Sequence, residues 1–238
     1  MHPLFITGLI LAGVTALAMP YYCKITYKGK SSLTLAVKMI LSTLFVVTVI
    51  LALFSYSPRQ GFMYVFPIGF FACYVGDYIL GRSEHTKDFI AGSCCFALGH
   101  ALYAVAFSLA QKKLFPQISW FNGFEIGLFL VIVSVMLLII LLKKPAIDPM
   151  LVLMFVYCLL VTLMLTKAAG LAFRMLPDAP AMILAPIGGV CFLCSDYMLG
   201  MMRFRMHEKT VAFKSVCTVL YYAAQTLIAL SLFILVRY

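Results

Sequence analysis

Apolar residues in this chain come in eight long runs, separated by short segments that hold most of the polar and charged residues. The runs cover approximately residues 3–22, 33–55, 61–81, 89–110, 121–142, 149–169, 181–202 and 212–236. A helix that crosses the hydrocarbon core of a bilayer needs about 20 predominantly apolar residues, so each run reads as a spanning helix. The first run has no basic segment ahead of it and no clear small-residue cleavage site before the basic loop that follows. It therefore reads as a helix and not as a signal peptide. The composition agrees: of 238 residues, 64% are apolar and 11% charged, with a mean hydropathy of +1.07. Soluble domains are about 45–50% apolar and about 25% charged. A soluble globular protein, a disordered chain and a secreted disulfide scaffold are thereby excluded. The loops are too short to hide a soluble domain, so a single membrane domain over residues 1–238 is expected. Its chemistry must take place inside the bilayer or at its edge.

Charge changes the picture only in topology. The net charge is +10, with 18 Lys+Arg against 8 Asp+Glu. The basic residues are scattered over loops and do not gather on one helix face, so no nucleic-acid partner is implied. The segments after runs 1, 3, 5 and 7 hold 11 of them: Lys24, Lys28, Lys30, Arg82, Lys87, Lys143, Lys144, Arg203, Arg205, Lys209 and Lys214. The other side holds 6: Arg59, Lys112, Lys113, Lys167, Arg174 and Arg237. The positive-inside rule predicts that the richer side faces the cytoplasm and that both termini lie outside. The membrane would be the endoplasmic reticulum in a eukaryote or the cytoplasmic membrane in a bacterium. Seven of the 8 cysteines fall in apolar runs, where cysteine behaves as a small hydrophobe. Cys191-x-x-Cys194 lies inside such a run without a second pair, which argues against a metal or redox motif.

The chain resembles itself at an offset of 119 residues, half its length. Residues 67–81 read PIGFFACYVGDYILG and residues 186–200 read PIGGVCFLCSDYMLG, identical at seven of fifteen positions. Asp77 and Asp196 coincide, as do Pro67 and Pro186, and Tyr103-Ala104 falls on Tyr222-Ala223. An offset that spans four helices keeps both halves in the same orientation. It predicts an all-α fold built as a parallel 4+4 repeat, approximately 1–119 and 120–238, about a pseudo-two-fold axis along the membrane normal.

Ionisable residues within a span are costly and each is a functional hypothesis. They are Lys38, Asp77, His100, Glu125, Lys167 and Asp196. Glu125 and Lys167 stand near span ends and are expected to reach the interface by snorkelling. Asp77 precedes Arg82 by five residues and Asp196 precedes Arg203 by seven, roughly 7–10 Å along a helix. Lys38 enters from the same side at a comparable depth. Two carboxylates against one ammonium leave a surplus negative charge, which low-dielectric surroundings relieve by keeping one carboxyl protonated. One neutral and one ionised carboxyl is the arrangement that acid–base hydrolysis requires. A lone deep histidine cannot make a zinc site, which needs three or four ligands, so no metal is expected. P-loop, GxSxG and HExxH motifs are absent, and Ser195 has no histidine partner at a recognisable spacing. Tyr78, Tyr103, Tyr157, Tyr197, Tyr221, Tyr222 and Gln225 are polar enough to line a cavity.

Several segments taken together carry a family likeness. They are VGDYIL in the third run, GHALYAVAF in the fourth, Val156-Tyr157 with Met164 in the sixth, CSDYML in the seventh and YYAAQTLIALS in the eighth. From about Lys38 to Ser231 the chain resembles the YhhN-type lysoplasmalogenase family, although Cys194 stands where the family usually has an aliphatic residue. The first helix and its basic loop carry no such likeness. The resemblance implies an eight-helix membrane enzyme without cofactor. It would hydrolyse the vinyl ether bond of a single-tailed ether phospholipid entering from the bilayer. It further implies Asp77 and Asp196 as the catalytic carboxyl pair and Lys38, Arg82 and Arg203 as phosphate ligands. His100, Tyr103, Tyr157, Tyr222 and Gln225 would be further substrate-binding residues. On the residues alone two other classes stay open. A proton-coupled transporter uses the same parallel repeats and intramembrane carboxylates, and an intramembrane aspartyl protease uses paired membrane aspartates.

Overall fold

The computed structural model describes residues 2–27, 29, 31–55, 60–143, 149–203 and 210–238. Lys28, Lys30, Arg59, Lys144, Arg205 and Lys209, counted above for topology, lie outside the described residues. Among the described residues the fold is all-helical, with α1 (Pro3–Tyr27), α2 (Ser32–Leu53), α3 (Val65–Arg82), α4 (Thr86–Leu114), α5 (Gly123–Lys143), α6 (Pro149–Met175), α7 (Leu184–Arg203) and α8 (Val211–Leu235). Among the described residues eight helical segments are long and apolar enough to cross a membrane. The chain is thus an integral multi-pass membrane protein. Short 3₁₀ turns, Gly61–Tyr64 and Pro180–Ile183, lead into α3 and α7. The ends are sealed locally. Ser31 and Thr34 cap α2 reciprocally, each side chain bonding the other's backbone N–H, and the Thr210 side chain caps α8.

Helices α2, α3, α4, α6, α7 and α8 close a ring in which each packs on the next, and α8 returns to α2. The helix α1 lies outside the ring against α2 and α8, and α5 packs along α6. Most of α5 faces outward, with Leu130, Val131, Leu138, Leu141 and Leu142 exposed. In this ring α3 and α7, which carry Asp77 and Asp196, stand on opposite sides.

Helices come closest where glycine removes the side chain. A Cβ on Gly99 of α4 would lie 2.5 Å from Cys73 Sγ and 3.0 Å from the Gly69 carbonyl oxygen of α3. A Cβ on Gly188 of α7 would lie 3.0 Å from the Ala224 carbonyl oxygen of α8. Small residues let backbones approach in this way where water gives no hydrophobic drive to association. Gly99→Leu should force α3 and α4 apart at a cost of about 1–3 kcal/mol. The check is the thermal unfolding midpoint in detergent; an unchanged midpoint would show that the two backbones do not meet there.

One expectation is corrected. Glu125 and Lys167 do not snorkel but are 1% and 2% exposed. The Lys167 stem turns inward, and its Nζ meets Glu125 Oε2 at 2.7 Å. It also donates to the Trp120 carbonyl and lies 3.8 Å from the centre of the Phe121 ring. Pairing satisfies both charges inside the protein, so neither has to reach the interface.

Candidate active site

Between the helices of the ring, with Tyr22 of α1 at its side, lies a partly open cavity of about 140 Å³. Every residue lining it lies in the half of the bundle nearest the basic loops. None comes from the end that carries residues 112–120. Asp77 and Asp196 both line it, as do Lys38, Tyr157 and Tyr222. The cavity thus joins the two carboxyls whose shared depth was read from spacing.

The two carboxyls are held differently. Asp77 is 1% exposed and fully engaged. Lys38 Nζ reaches its Oδ1 at 3.0 Å. Oδ2 accepts from the Ser42 hydroxyl at 2.6 Å and from the Tyr221 hydroxyl at 2.6 Å. Lys38 and Ser42 are one helical turn apart on α2 and face the same way. One cation and two hydroxyls make this a carboxylate whose charge and lone pairs are met.

Among the described residues no lysine or arginine pairs with Asp196. The Tyr157 hydroxyl donates to its Oδ2 at 2.7 Å. His100 Nε2 lies 3.2 Å from the Tyr157 oxygen and 3.8 Å from Asp196 Oδ2. Among the described residues no hydrogen bond reaches Asp196 Oδ1. The offset of 119 that relates Asp77 to Asp196 also relates Lys38 to Tyr157. Asp77 and Asp196 thus each meet the side chain 39 residues earlier, on the preceding ring helix, an ammonium for Asp77 and a phenol for Asp196.

His100, Tyr103 and Gln225 do not line the cavity but form the layer behind it. Tyr103 donates to Gln225 Oε1 at 3.1 Å, and Gln225 Nε2 donates to the Tyr221 oxygen at 3.3 Å. That chain leads to Asp77 through Tyr221. Arg82 and Arg203 end α3 and α7 and are not part of the lining. Arg203 donates to Thr86 Oγ1 at 2.9 Å and lies 5.0 Å from the Phe89 ring, which ties it to the start of α4. Tyr78 faces outward, 44% exposed. Among the described residues no group of His, Cys, Asp and Glu is placed to hold a metal ion.

Sequence reasoning missed Ser42 and Tyr22. Ser42 carried a signal, its position four residues after Lys38. Tyr22 carried none: it sits on α1, outside the family likeness, and reaches the cavity from outside the ring, with its ring centre 6.0 Å from that of Tyr222. Ser195 donates to the Cys217 carbonyl at 2.9 Å, so its hydroxyl serves the α7–α8 contact.

The family whose sequence pattern matches is the YhhN family, over residues 33–232. The match covers most of the chain, which belongs to this family. It reaches into every helix of the ring and leaves out α1. No curated protein and no solved structure matches the chain.

Proposed function

We propose that this member of the YhhN family is a lysoplasmalogenase, which hydrolyses the vinyl ether bond of a single-tailed ether phospholipid to a fatty aldehyde and a glycerophospho-base. The observation that carries the reading is a pair of buried carboxyls facing one cavity, one compensated by Lys38 and the other with no lysine or arginine beside it among the described residues. In this reading Asp196 is the neutral acid and Asp77 the standing carboxylate. Asp196 gives its proton to the vinyl carbon farther from oxygen, and the double bond becomes an oxocarbenium ion. The Asp77 carboxylate stabilises that cation, by the logic that two carboxyls serve in glycosidases. Water adds at the carbon bound to oxygen and gives its proton to a carboxylate. The hemiacetal then collapses, with a proton passing to the departing glycerol oxygen. One water is consumed, both carboxyls regain their starting states, and no cofactor takes part.

A cavity of about 140 Å³ is smaller than the roughly 300–1,000 Å³ of sites that enclose a whole ligand. It suits the reacting ether and the atoms beside it, while the tail lies among the helices toward the bilayer centre. Lys38 is the cation placed to meet the phosphate. Tyr157 and Tyr222 line the same space. Arg82 and Arg203 stand at the rim. The basic loops face the cytoplasm in this reading, with both termini on the other side. The pairing of ring helices supports a parallel 4+4 repeat: α2 with α3, α3 with α4 and α8 with α2 correspond to α6 with α7, α7 with α8 and α4 with α6.

The test is aldehyde release by purified protein in detergent. Lysoplasmenylethanolamine should yield aldehyde and glycerophosphoethanolamine in equal amounts. The saturated alkyl analogue, which cannot form an oxocarbenium ion by protonation, should be inert. Absence of aldehyde from the vinyl ether would sink the reading.

A further inference from the structure

His100 is 0% exposed, and its ring stands edge-on between α4 and α7, with its centre 4.6 Å from that of Phe192. It does not line the cavity but stands one layer behind it. Hydrogen bookkeeping gives it another task. Tyr157 has a single O–H, and that hydrogen is donated to Asp196 Oδ2 at 2.7 Å. The Tyr157 oxygen can then only accept from His100, whose Nε2 is 3.2 Å away. With Tyr157 donating to Asp196, Nε2 carries the ring proton and Nδ1 is bare. Among the described residues Nδ1 is the ring nitrogen that is buried without a partner.

The direction of this chain decides where Asp196 carries its acidic proton. Oδ2 is occupied as an acceptor, which leaves Oδ1, and Asp196 lines the cavity. Without the His100 donor, the Tyr157 hydroxyl is free to turn away. Its oxygen can then accept from a protonated Oδ2, pointing the proton at Tyr157 and away from the reacting bond. The counterpart Asp77 needs no such device, because Lys38 stands where Tyr157 stands in the other half.

We infer that His100 is a positioning residue: acting through Tyr157, it holds Asp196 Oδ2 as an acceptor and keeps the acidic proton on Oδ1, facing the substrate. This rests on the reading of Asp196 as the acid of vinyl ether hydrolysis.

The experiment is steady-state aldehyde release by His100→Leu, His100→Gln, Tyr157→Phe and the Leu/Phe double variant, each first shown to be monodisperse. His100→Leu should lower kcat by about 10–100-fold, the scale for partners that orient a reacting group, with KM nearly unchanged. Glutamine carries an amide N–H toward the place of Nε2 and should restore most of kcat. Tyr157→Phe should cost as much as His100→Leu. The double variant should cost no more than either, because the two act as one unit. Three outcomes overturn the inference: His100→Leu at wild-type kcat, losses that multiply in the double variant, or a folded glutamine variant as impaired as the leucine one. If the wild type itself releases no aldehyde, the hydrolase reading fails and this inference falls with it. If the wild type and His100→Leu turn over alike, only this inference falls.

Discussion

Asp196→Asn is expected to remove aldehyde release while leaving the fold unchanged. The amide oxygen can still accept from Tyr157, so the hydrogen bond at 2.7 Å survives. What is lost is the acidic proton, since an amide N–H cannot protonate a vinyl ether. General acid–base groups typically contribute about 10²–10⁴ in rate, and that is the loss expected in kcat. Asp77→Asn should reach a similar rate loss by another route, through loss of the negative charge that faces the cation. It should also cost stability, because the ammonium of Lys38, 15% exposed in its side chain, would face an amide in place of a carboxylate. Lys38→Met should cost less in rate than either, because Asp77 keeps the Ser42 and Tyr221 hydroxyls as donors. The measurement is aldehyde released per folded molecule. If either Asn variant folds and keeps more than about a tenth of wild-type activity, that carboxyl is neither the acid nor the base.

The spans were legible because a bilayer imposes a length, and runs of that length are hard to mistake. Their ends were less so. Gln111 and Lys112 read as the edge of the fourth span, yet α4 continues to Leu114, with Gln111 buried and the Lys112 Nζ donating to the Pro116 carbonyl at 2.9 Å. The shared depth of Asp77, Asp196 and Lys38 could be read from their comparable distances to the basic loops, since depth along a helix is set by residue count. The split between the carboxyls could not. It depends on His100 and Tyr157, which are 57 residues apart and meet only because α4 packs on α6. Nor does any local pattern say that α8 returns to α2. Helices that are apolar all round do not declare which face looks inward. The offset of 119 held one unused signal, the match of Lys38 with Tyr157, which gains meaning only once each is seen beside its own aspartate.

The same failure of spacing governs the buried pair at the opposite end, where the second large effect is expected. Lys167→Met should destabilise the fold by about 3–5 kcal/mol, the usual cost of leaving one partner of a buried ion pair uncompensated. Among the described residues Glu125 Oε1 is already buried without a partner, and the substitution would strip Oε2 as well. The Trp120 carbonyl would lose its donor in the same step. A second change, Glu125→Gln, removes the stranded charge, so the double variant should recover much of the loss. The signature is opposite to that of the aspartates. None of these residues lines the cavity, so the surviving folded fraction of Lys167→Met should release aldehyde at the wild-type rate per molecule, with only the unfolding midpoint lowered. A midpoint equal to that of the wild type would mean that the Lys167–Glu125 pair is not sequestered inside the bundle. Loss of activity per folded molecule would mean instead that the two ends of the bundle are coupled.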